Sequence, residues 1–292
     1  MNDKKARSGR DRPRTQNRPA RPAQRAGQSN PGRSRQGARD TRRPAPADHY
    51  IFGLHAAEFA LRHQTRDVHV IWATENAERK LADAIALRQL DVVRATPRDL
   101  DKRVGGDTVH QGIVLEVAPL ATHALADLAE RAVASGQPIV ALDQVTDPHN
   151  VGAVLRSCAV FGAAGLVMTQ RHSPPLSGTL AKSASGALDL MPVCLVQNLA
   201  KALAELKTQS CVVIGLDGQS TYRLLEQGLA ARPGQALVLA LGAEGRGLRE
   251  LTRESCDELC RIGGDGPIAS LNVSNAAAIA LHLAAMHRRG AV

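Results

Sequence analysis

The feature that most restricts the fold is a series of short, continuous apolar runs separated by helical patterns between residues 138 and 292. Runs such as PIVALDQV and CVVIGL show little alternation between apolar and polar residues. Strands of this kind are buried on both faces, as in parallel sheets covered by helices on either side. The pattern therefore predicts an α/β domain with a parallel sheet. Its strands are expected at 139–145, 165–169, 192–196, 211–216, 236–241 and 258–262, and its last helix at 273–288.

A smaller α/β unit is predicted over residues 49–120, ahead of this domain. Residues 121–137 favour a helix that ends at Ser135-Gly136, and we interpret this segment as a linker. In the smaller unit, strands are expected at 50–52, 68–73, 92–95 and 112–118, and helices at 54–63, 77–90 and 97–103.

Residues 1–48 differ from the rest of the chain in composition and charge. They hold no Ile, Leu, Val or aromatic residue, so they cannot bury enough surface to offset the entropy of ordering. Their 14 Lys and Arg against 4 Asp and Glu give a net charge of +10, whereas residues 49–292, with 23 against 24, carry −1. We expect a disordered basic tail, which is either a solubilising segment or an arm that binds RNA phosphates.

Composition also excludes several classes of protein. No apolar run approaches the roughly 18–20 residues of a membrane helix, so no membrane partner is expected. The N-terminus lacks the apolar core of a signal peptide, which favours a cytoplasmic protein. The five cysteines contain no CxxC pair, as expected in a reducing compartment. Cys256 and Cys260 have a metal-compatible spacing, but no cluster completes four ligands, so no metal site is predicted.

Three loops that follow predicted strands carry the residues of chemical interest, because such loops are where parallel sheets bind ligands. In the first, DPHNVGAVLRSCAVFGAAG, Asn150 is expected to cap a helix that ends at Gly162. Arg156 lies on this otherwise apolar helix, where either an ion pair or a site explains its presence.

The second loop, LGAEGRG, sets Glu244 among glycines, which allow close approach of the backbone to a ligand. Its spacing matches neither the dinucleotide fingerprint nor the phosphate-binding loop. The third, SLNVSN, has more polar side chains at the start of the last helix than capping requires. These are Ser270, Asn272, Ser274 and Asn275.

Together, the three segments resemble the three motifs of the SpoU (TrmH-type) branch of the SPOUT RNA methyltransferases. The resemblance covers residues 138–288. Residues 49–119, with FGLHAAEFAL and VHQGIVLEV, are similar to the ribosomal-protein-like substrate-binding domain of this family. Within the family, the chain resembles the bacterial 23S rRNA guanosine-2′-O-methyltransferase group.

The resemblance implies methyl transfer from S-adenosyl-L-methionine to a ribose 2′-hydroxyl, in a guanosine of 23S rRNA. It further implies a catalytic domain at 138–292 with a C-terminal trefoil knot, and a homodimer through that domain. The family's catalytic positions correspond to Asn150, Arg156, Glu244, Ser270 and Asn272, and its cofactor-binding positions to Gly242, Ile262 and Leu271.

Several roles remain open from the sequence. Arg156 is either a base or a clamp, and the clamp on a neighbouring phosphate is favoured because a guanidinium is almost never deprotonated. The family commonly has Pro after the position of Ile262, where this chain has GGDG, which predicts a more flexible cofactor loop. His110 is a candidate for RNA contact or for a structural role, His149 for lining the site or for facing solvent, and His282 for a core or dimer-interface position.

Two alternative functions are considered. One is the same reaction on tRNA or on another rRNA nucleotide. The other is a ribosome-assembly factor that binds RNA without catalysis, against which the intact motif residues argue.

Deletion of residues 1–48 is expected to weaken RNA binding and to flatten its salt dependence, because it removes a net charge of +10. Filter binding of the full-length and truncated proteins to a 23S rRNA fragment over a salt series measures both effects. The methylated nucleotide is expected to stay the same, and a changed target would contradict a purely electrostatic role for the tail.

Overall fold

The computed structural model of the protein describes residues 49–63, 65–224, 229, 234–263 and 270–290. The basic tail predicted for residues 1–48 lies outside these ranges, as does most of the GGDG sequence after Ile262. The described chain is α/β and contains two sheets, of which the larger one is parallel.

The smaller sheet lies in the N-terminal part of the described chain. Its strands are β1 (Tyr50–Phe52), β2 (Val68–Ala73), β3 (Val92–Arg94) and β4 (Ile113–Val117), in the order β1-β4-β2-β3. β4 is antiparallel to β1 and β2, whereas β3 is parallel to β2. The predicted strands are confirmed to within one residue at each end. The accompanying helices are α1 (Leu54–His63), α2 (Glu75–Lys80), α3 (Ala82–Ala86) and α4 (Pro97–Val104).

The single helix predicted for residues 77–90 was wrong. The structure has α2 and α3, with Leu81 between them at φ −110° and ψ 14°. α2 begins before the predicted start because Oγ1 of Thr74 accepts a hydrogen bond from the backbone N of Ala77 at 3.4 Å and caps the helix. The helical segment is already over at Ala86, and Gln89 has a positive φ of 53°.

The larger sheet has six strands, and every neighbouring pair is parallel. This confirms the parallel sheet predicted from the apolar runs. The strands are β5 (Ile139–Asp143), β6 (Gly165–Thr169), β7 (Val193–Val196), β8 (Cys211–Leu216), β9 (Ala236–Gly242) and β10 (Glu258–Cys260), in the order β10-β8-β9-β5-β6-β7. The helices are α5 (Leu125–Ser135), α6 (Pro148–Phe161), α7 (Gly178–Ala184), α8 (Ala187–Leu190), α9 (Leu199–Thr208), α10 (Glu250–Glu254) and α11 (Val273–Arg288).

Helices cover this sheet on both faces, which explains why its strands are apolar throughout. Val140 and Leu142 of β5 face the layer formed by α6, α7 and α11, whereas Ile139 and Ala141 face α5 and α9. All four side chains are buried. α5, which occupies the predicted linker, therefore packs through residues such as Leu128 as part of the second layer.

The helices α7 and α8 also pack against the N-terminal part of the chain. Gly186, at φ +91°, lies so close to Phe59 that a Cβ there would be 2.3 Å from the ring. Beside this contact, Nε of Arg66 lies 2.5 Å from Oδ1 of Asp189, and both side chains are buried. The small sheet is thus joined to the larger one by apolar packing and by a buried ion pair.

Two absences hold for the residues that the structure describes. No helix there has the length and apolarity needed to cross a membrane. No group of three or more His, Cys, Asp or Glu there could hold a metal ion.

The cysteines are free thiols, and most of them are buried. Burial raises the pKa of Cys158 to about 12, that of Cys211 to about 11 and that of Cys256 to about 12. Burial also raises the pKa of Cys194. Because the thiolate is the reactive form of cysteine, these raised values keep the thiols protonated and inert at neutral pH.

We expect the native protein to react slowly with a disulfide reagent at pH 8, since a thiol with a pKa of about 11 is ionised to only about one part in a thousand there. The time course of thiol release before and after unfolding in guanidinium measures this. Unfolding removes the burial, so the same thiols should then react fully. Rapid labelling of Cys158, Cys211 and Cys256 in the native protein would contradict their protection by burial.

Candidate active site

The candidate site lies at the carboxyl edge of the parallel sheet, where three loops meet. Asp143, the last residue of β5, pairs with Gly242, the last residue of β9. The loop into α6 and the glycine-rich loop at 243–249 therefore leave the sheet side by side. The residues that precede α11 complete the group, because Asn272 contacts both other loops.

The helix α6 begins at a different residue from the one predicted. Asp147, not Asn150, is the N-cap, and its Oδ1 accepts a hydrogen bond from the backbone N of His149 at 3.0 Å. Pro148 follows at the first helical position, where its fixed φ is favourable and its missing N–H costs nothing. The side chain of Asn150 is thereby released from capping. The predicted end of the helix is confirmed, because Gly162 is left-handed at φ 76°.

Asn150, Glu244 and Asn272 form one hydrogen-bonded cluster. Nδ2 of Asn150 donates to Oε1 of Glu244 at 3.0 Å. Nδ2 of Asn272 donates to Oδ1 of Asn150 at 3.0 Å and also to Oε1 of Glu244. Three of the five predicted catalytic residues, one from each motif, are therefore in direct contact.

The cluster is also tied to the start of α11. Oδ1 of Asn272 accepts hydrogen bonds from the backbone N of Ser274 at 2.8 Å, from its Oγ at 2.5 Å and from the backbone N of Asn275 at 3.4 Å. Asn272 thus uses its amide nitrogen for the cluster and its oxygen for the helix cap. Oε2 of Glu244 and one N–H of Asn150 have no partner among the described residues, which leaves an acceptor and a donor suited to a hydroxyl group.

The glycine-rich loop folds back on itself. The backbone N of Gly247 donates to the carbonyl oxygen of Ala243 at 2.8 Å, and Gly245 and Gly247 have φ of 75° and 66°. A Cβ on Gly242 would lie 2.0 Å from the carbonyl carbon of Gly247. Gly242 therefore allows the backbone of its own loop to approach closely. A side chain at this position would push the loop open.

A cavity of about 320 Å³ opens beside the cluster, at the ends of β8 and β9. All three predicted cofactor-binding residues line it, and so do Glu244 and Ser270. Its volume lies at the small end of the range for ligand pockets, roughly 300–1,000 Å³. The predicted cofactor residues are Gly242, Ile262 and Leu271.

Arg156 lies apart from the hydrogen-bonded cluster. It is six positions after Asn150 on α6, which places it about 9 Å along the helix axis and about 120° around it. Its side chain is exposed, and it forms no hydrogen bond or ion pair with the described residues. Because the guanidinium is exposed, it needs no ion pair to offset the cost of burial. A structural ion pair therefore does not explain the presence of an arginine on this apolar helix.

The sequence reasoning missed Asp143, which is buried at the end of β5. Its Oδ2 accepts from the backbone N of Arg249 at 2.9 Å, and its Oδ1 binds Nε and Nη2 of the same residue, each at 2.7 Å. This pair ties the far end of the glycine-rich loop to the strand that leads into α6. The sequence feature that could have identified Asp143 is its position as a single acidic residue at the end of the apolar strand IVALD.

His110 has a structural position. It is 8% exposed, its Nε2 lies 3.2 Å from Oδ1 of Asp101, and its Nδ1 accepts from the backbone N of Gly112 at 3.0 Å. Both ring nitrogens are thus used within the small sheet's loops, which favours the structural reading over RNA contact.

A parallel sheet with a ligand-sized cavity at its carboxyl edge defines an α/β protein that binds a nucleotide-like ligand or cofactor. The pattern of the SpoU rRNA Methylase family matches residues 137–282, and the pattern described as RNA 2′-O ribose methyltransferase substrate binding matches residues 50–123. The chain belongs to the SpoU rRNA methylase family and is a methyltransferase, as its three motifs predicted.

Two relatives support this assignment over most of the chain. A Pseudomonas putida protein named 23S rRNA (guanosine-2′-O-)-methyltransferase RlmB is 36% identical over 245 residues, which are 82% of this chain and 96% of the relative. The Escherichia coli protein of the same name is 34% identical over 243 residues, which are 82% and 98% of the two chains.

Solved structures show the same fold. The SpoU methyltransferase AviRb from Streptomyces viridochromogenes is 22% identical, with a TM-score of 0.67 over 83% of this chain and 90% of that one. An AdoMet-bound rRNA methyltransferase from Sinorhizobium meliloti is 20% identical, with a TM-score of 0.66 over 84% and 88%. At these identities the likeness concerns the fold.

We expect Asp143→Asn to lower the free energy of unfolding by about 2 kcal/mol, because it replaces a charge-assisted pair at a buried carboxylate. Urea denaturation measures the change. Arg246→Ala is the control, since Arg246 is an exposed arginine of the same loop and its loss should cost less than about 0.5 kcal/mol. Equal urea midpoints for Asp143→Asn and the unaltered protein would contradict the anchoring role.

Proposed function

We propose that the protein transfers a methyl group from S-adenosyl-L-methionine to the ribose 2′-hydroxyl of a guanosine in 23S rRNA. The observation that carries the proposal is the Asn150–Glu244–Asn272 cluster beside a cavity lined by the predicted cofactor residues. The names of the relatives in Pseudomonas putida and Escherichia coli support the same reaction and substrate.

The residues around the cavity fit S-adenosyl-L-methionine. Ile262 and Leu271 offer an apolar wall for the adenine, and Leu271 is 51% exposed toward a ligand. Gly242, Gly245 and Gly247 line it without side chains, so a ligand can approach the backbone closely there. When bound, the cofactor supplies a methyl group that its positive sulfur already makes electrophilic, so the protein contributes mainly by positioning.

In this proposal the cluster orients the ribose. Oε2 of Glu244 accepts a hydrogen bond from the 2′-hydroxyl, and the open N–H of Asn150 donates to a neighbouring ribose oxygen. Asn272 holds both partners in place, since all hydrogen-bonding groups of its side chain are occupied. Ser270, which lines the cavity, is assigned to the same group of catalytic residues.

Arg156 is proposed as a clamp on the phosphate next to the target ribose. Its exposure and its lack of a partner among the described residues leave the guanidinium available for RNA. A fixed positive charge there would stabilise negative charge that develops on the attacking oxygen. The role of a base is disfavoured because the guanidinium keeps its protons.

The domain organisation is proposed as a basic tail at 1–48, a substrate-binding domain at 49–120, a linker at 121–137 and a methyltransferase domain at 138–292. The match of residues 50–123 to a substrate-binding pattern supports the substrate-binding domain.

We include a C-terminal trefoil knot in the proposal. Its support is the membership of the chain in the SpoU family, for which the resemblance of the three motifs implies a knot.

A homodimer through the methyltransferase domain also belongs to the proposal. α6 and α11 leave apolar side chains in water: Val160 is 76% and Ile279 37% exposed. His282 is exposed as well and lies 5.4 Å from the ring of Phe161, centroid to centroid, which favours the interface role over a core role. A second copy on this face would bury these groups.

Because the proposed substrate is ribosomal RNA, we place the enzyme in the cytoplasm.

Arg156→Ala is expected to lower methyl transfer by about 100-fold or more while leaving cofactor affinity nearly unchanged, since Arg156 lies outside the cavity. The test incubates the protein with 23S rRNA and S-adenosylmethionine and maps 2′-O-methylation along the RNA. Calorimetry with the cofactor alone gives the affinity.

The same experiment separates the alternatives. Methylation of one guanosine of 23S rRNA supports the proposal, whereas methylation of tRNA or of another nucleotide replaces its substrate. Cofactor binding without methylation of any RNA would favour an assembly factor. Full activity of Arg156→Ala would remove this residue from the mechanism.

A further inference from the structure

His149 lies between two features already described, the capping Asp147 and the cluster residue Asn150. Its side chain is exposed, and its Nδ1 lies 3.1 Å from Oγ of Ser183 on α7. Its Nε2 has no hydrogen-bond partner among the described residues. One side of the imidazole is thus held by the protein, and the other side is unpartnered within the described residues, on the residue that directly precedes Asn150.

The position of Ser183 is set by close packing of α7 on α6. Gly152 lies one turn after His149, and a Cβ there would be 2.5 Å from the Cβ of Ser183. The absence of a side chain at Gly152 lets the two helices approach at this point. Ser183 is therefore a rigid support for the imidazole.

The hydrogen bonds of other helical serines indicate which partner donates. The hydroxyls of Ser135, Ser157 and Ser255 each donate to the carbonyl oxygen four residues earlier, at 2.7, 3.1 and 2.7 Å. Ser183 makes no such bond within the described residues, so we take its hydroxyl to donate to Nδ1 of His149. Nδ1 then acts as an acceptor, and in the neutral ring Nε2 carries the proton.

The pair also lies on the way from the N-terminal part of the chain to the cluster. Lys182, the neighbour of Ser183, donates from Nζ to the carbonyl oxygen of Val109 at 2.8 Å. Val109, 63% exposed, belongs to the N-terminal part that matches the substrate-binding pattern. An RNA that contacts both this part and the cluster would pass His149.

We propose that His149, oriented by Ser183, positions the substrate by donating a hydrogen bond from Nε2 to a backbone oxygen of the RNA beside the target ribose. This inference rests on the proposed function. It assigns His149 to substrate binding and leaves the chemical step to the cluster and to Arg156.

Steady-state methyl transfer to a 23S rRNA fragment tests the proposal with four single variants of the full chain and one double variant. His149→Ala should raise KM for the RNA about tenfold, the effect of losing one good hydrogen bond, with kcat within about twofold. His149→Gln places an amide N–H near the position of Nε2 and should restore most of the lost affinity. His149→Asn, whose amide reaches only the position of Nδ1, should behave like His149→Ala.

Ser183→Ala keeps the Cβ that packs over Gly152 and removes only the hydroxyl. It should raise KM about threefold in the unaltered background and have no effect in His149→Gln, because the amide does not need the support. Unchanged melting temperatures show that the variants fold, and an unchanged cofactor affinity separates the effect from the cavity.

If the unaltered enzyme is active and His149→Ala has the same KM for the RNA, the inference is overturned and the proposed function stands. A fall in kcat with unchanged KM would overturn it as well, because His149 would then act in the chemical step. Equal behaviour of the Gln and Asn variants would exclude donation from Nε2. An unaltered enzyme that methylates no RNA would overturn the proposed function and this inference with it.

Discussion

The register of β5 against β9 is the constraint on which the site depends. Parallel pairing sets Asp143 beside Gly242 at the last position of both strands, so two loops that are distant in sequence begin at one place. The buried carboxylate of Asp143 then binds Arg249 and holds the far end of the glycine-rich loop to the same strand end. Asn150 and Glu244, 94 residues apart, meet within hydrogen-bonding distance as a result.

Asn272 couples the stability of the fold to the geometry of the site. The same amide caps the last helix with its oxygen and holds Asn150 and Glu244 with its nitrogen. Because every hydrogen-bonding group of the Asn272 side chain is used, its orientation is fixed before any ligand binds. A fixed third residue leaves the open groups of Glu244 and Asn150 in a defined position, which is the kind of preorganisation that positioning catalysis needs.

The strands predicted from local pattern were confirmed, although β5 and β10 end two residues earlier than predicted, and the helix boundaries that depend on a choice between neighbouring residues were not. The strands of both sheets follow from runs of apolar residues, which report burial directly. The N-cap of α6 was misassigned because Asp147 and Asn150 are both good caps, and the adjacent Pro148 decides between them. The break between α2 and α3 was missed for a similar reason, since helical propensity alone does not place a boundary.

The sequence by itself determined that a parallel sheet would form, which loops would carry the site, and which residue types those loops would hold, because these properties are local. The tertiary structure decided how the residues combine. It brought Asn150, Glu244 and Asn272 into one cluster and left Arg156 outside it, because strand register and helical phase set distances that spacing alone does not. It also decided the pairing of Asp143 with Arg249 and of His149 with Ser183, since both depend on how separate elements pack.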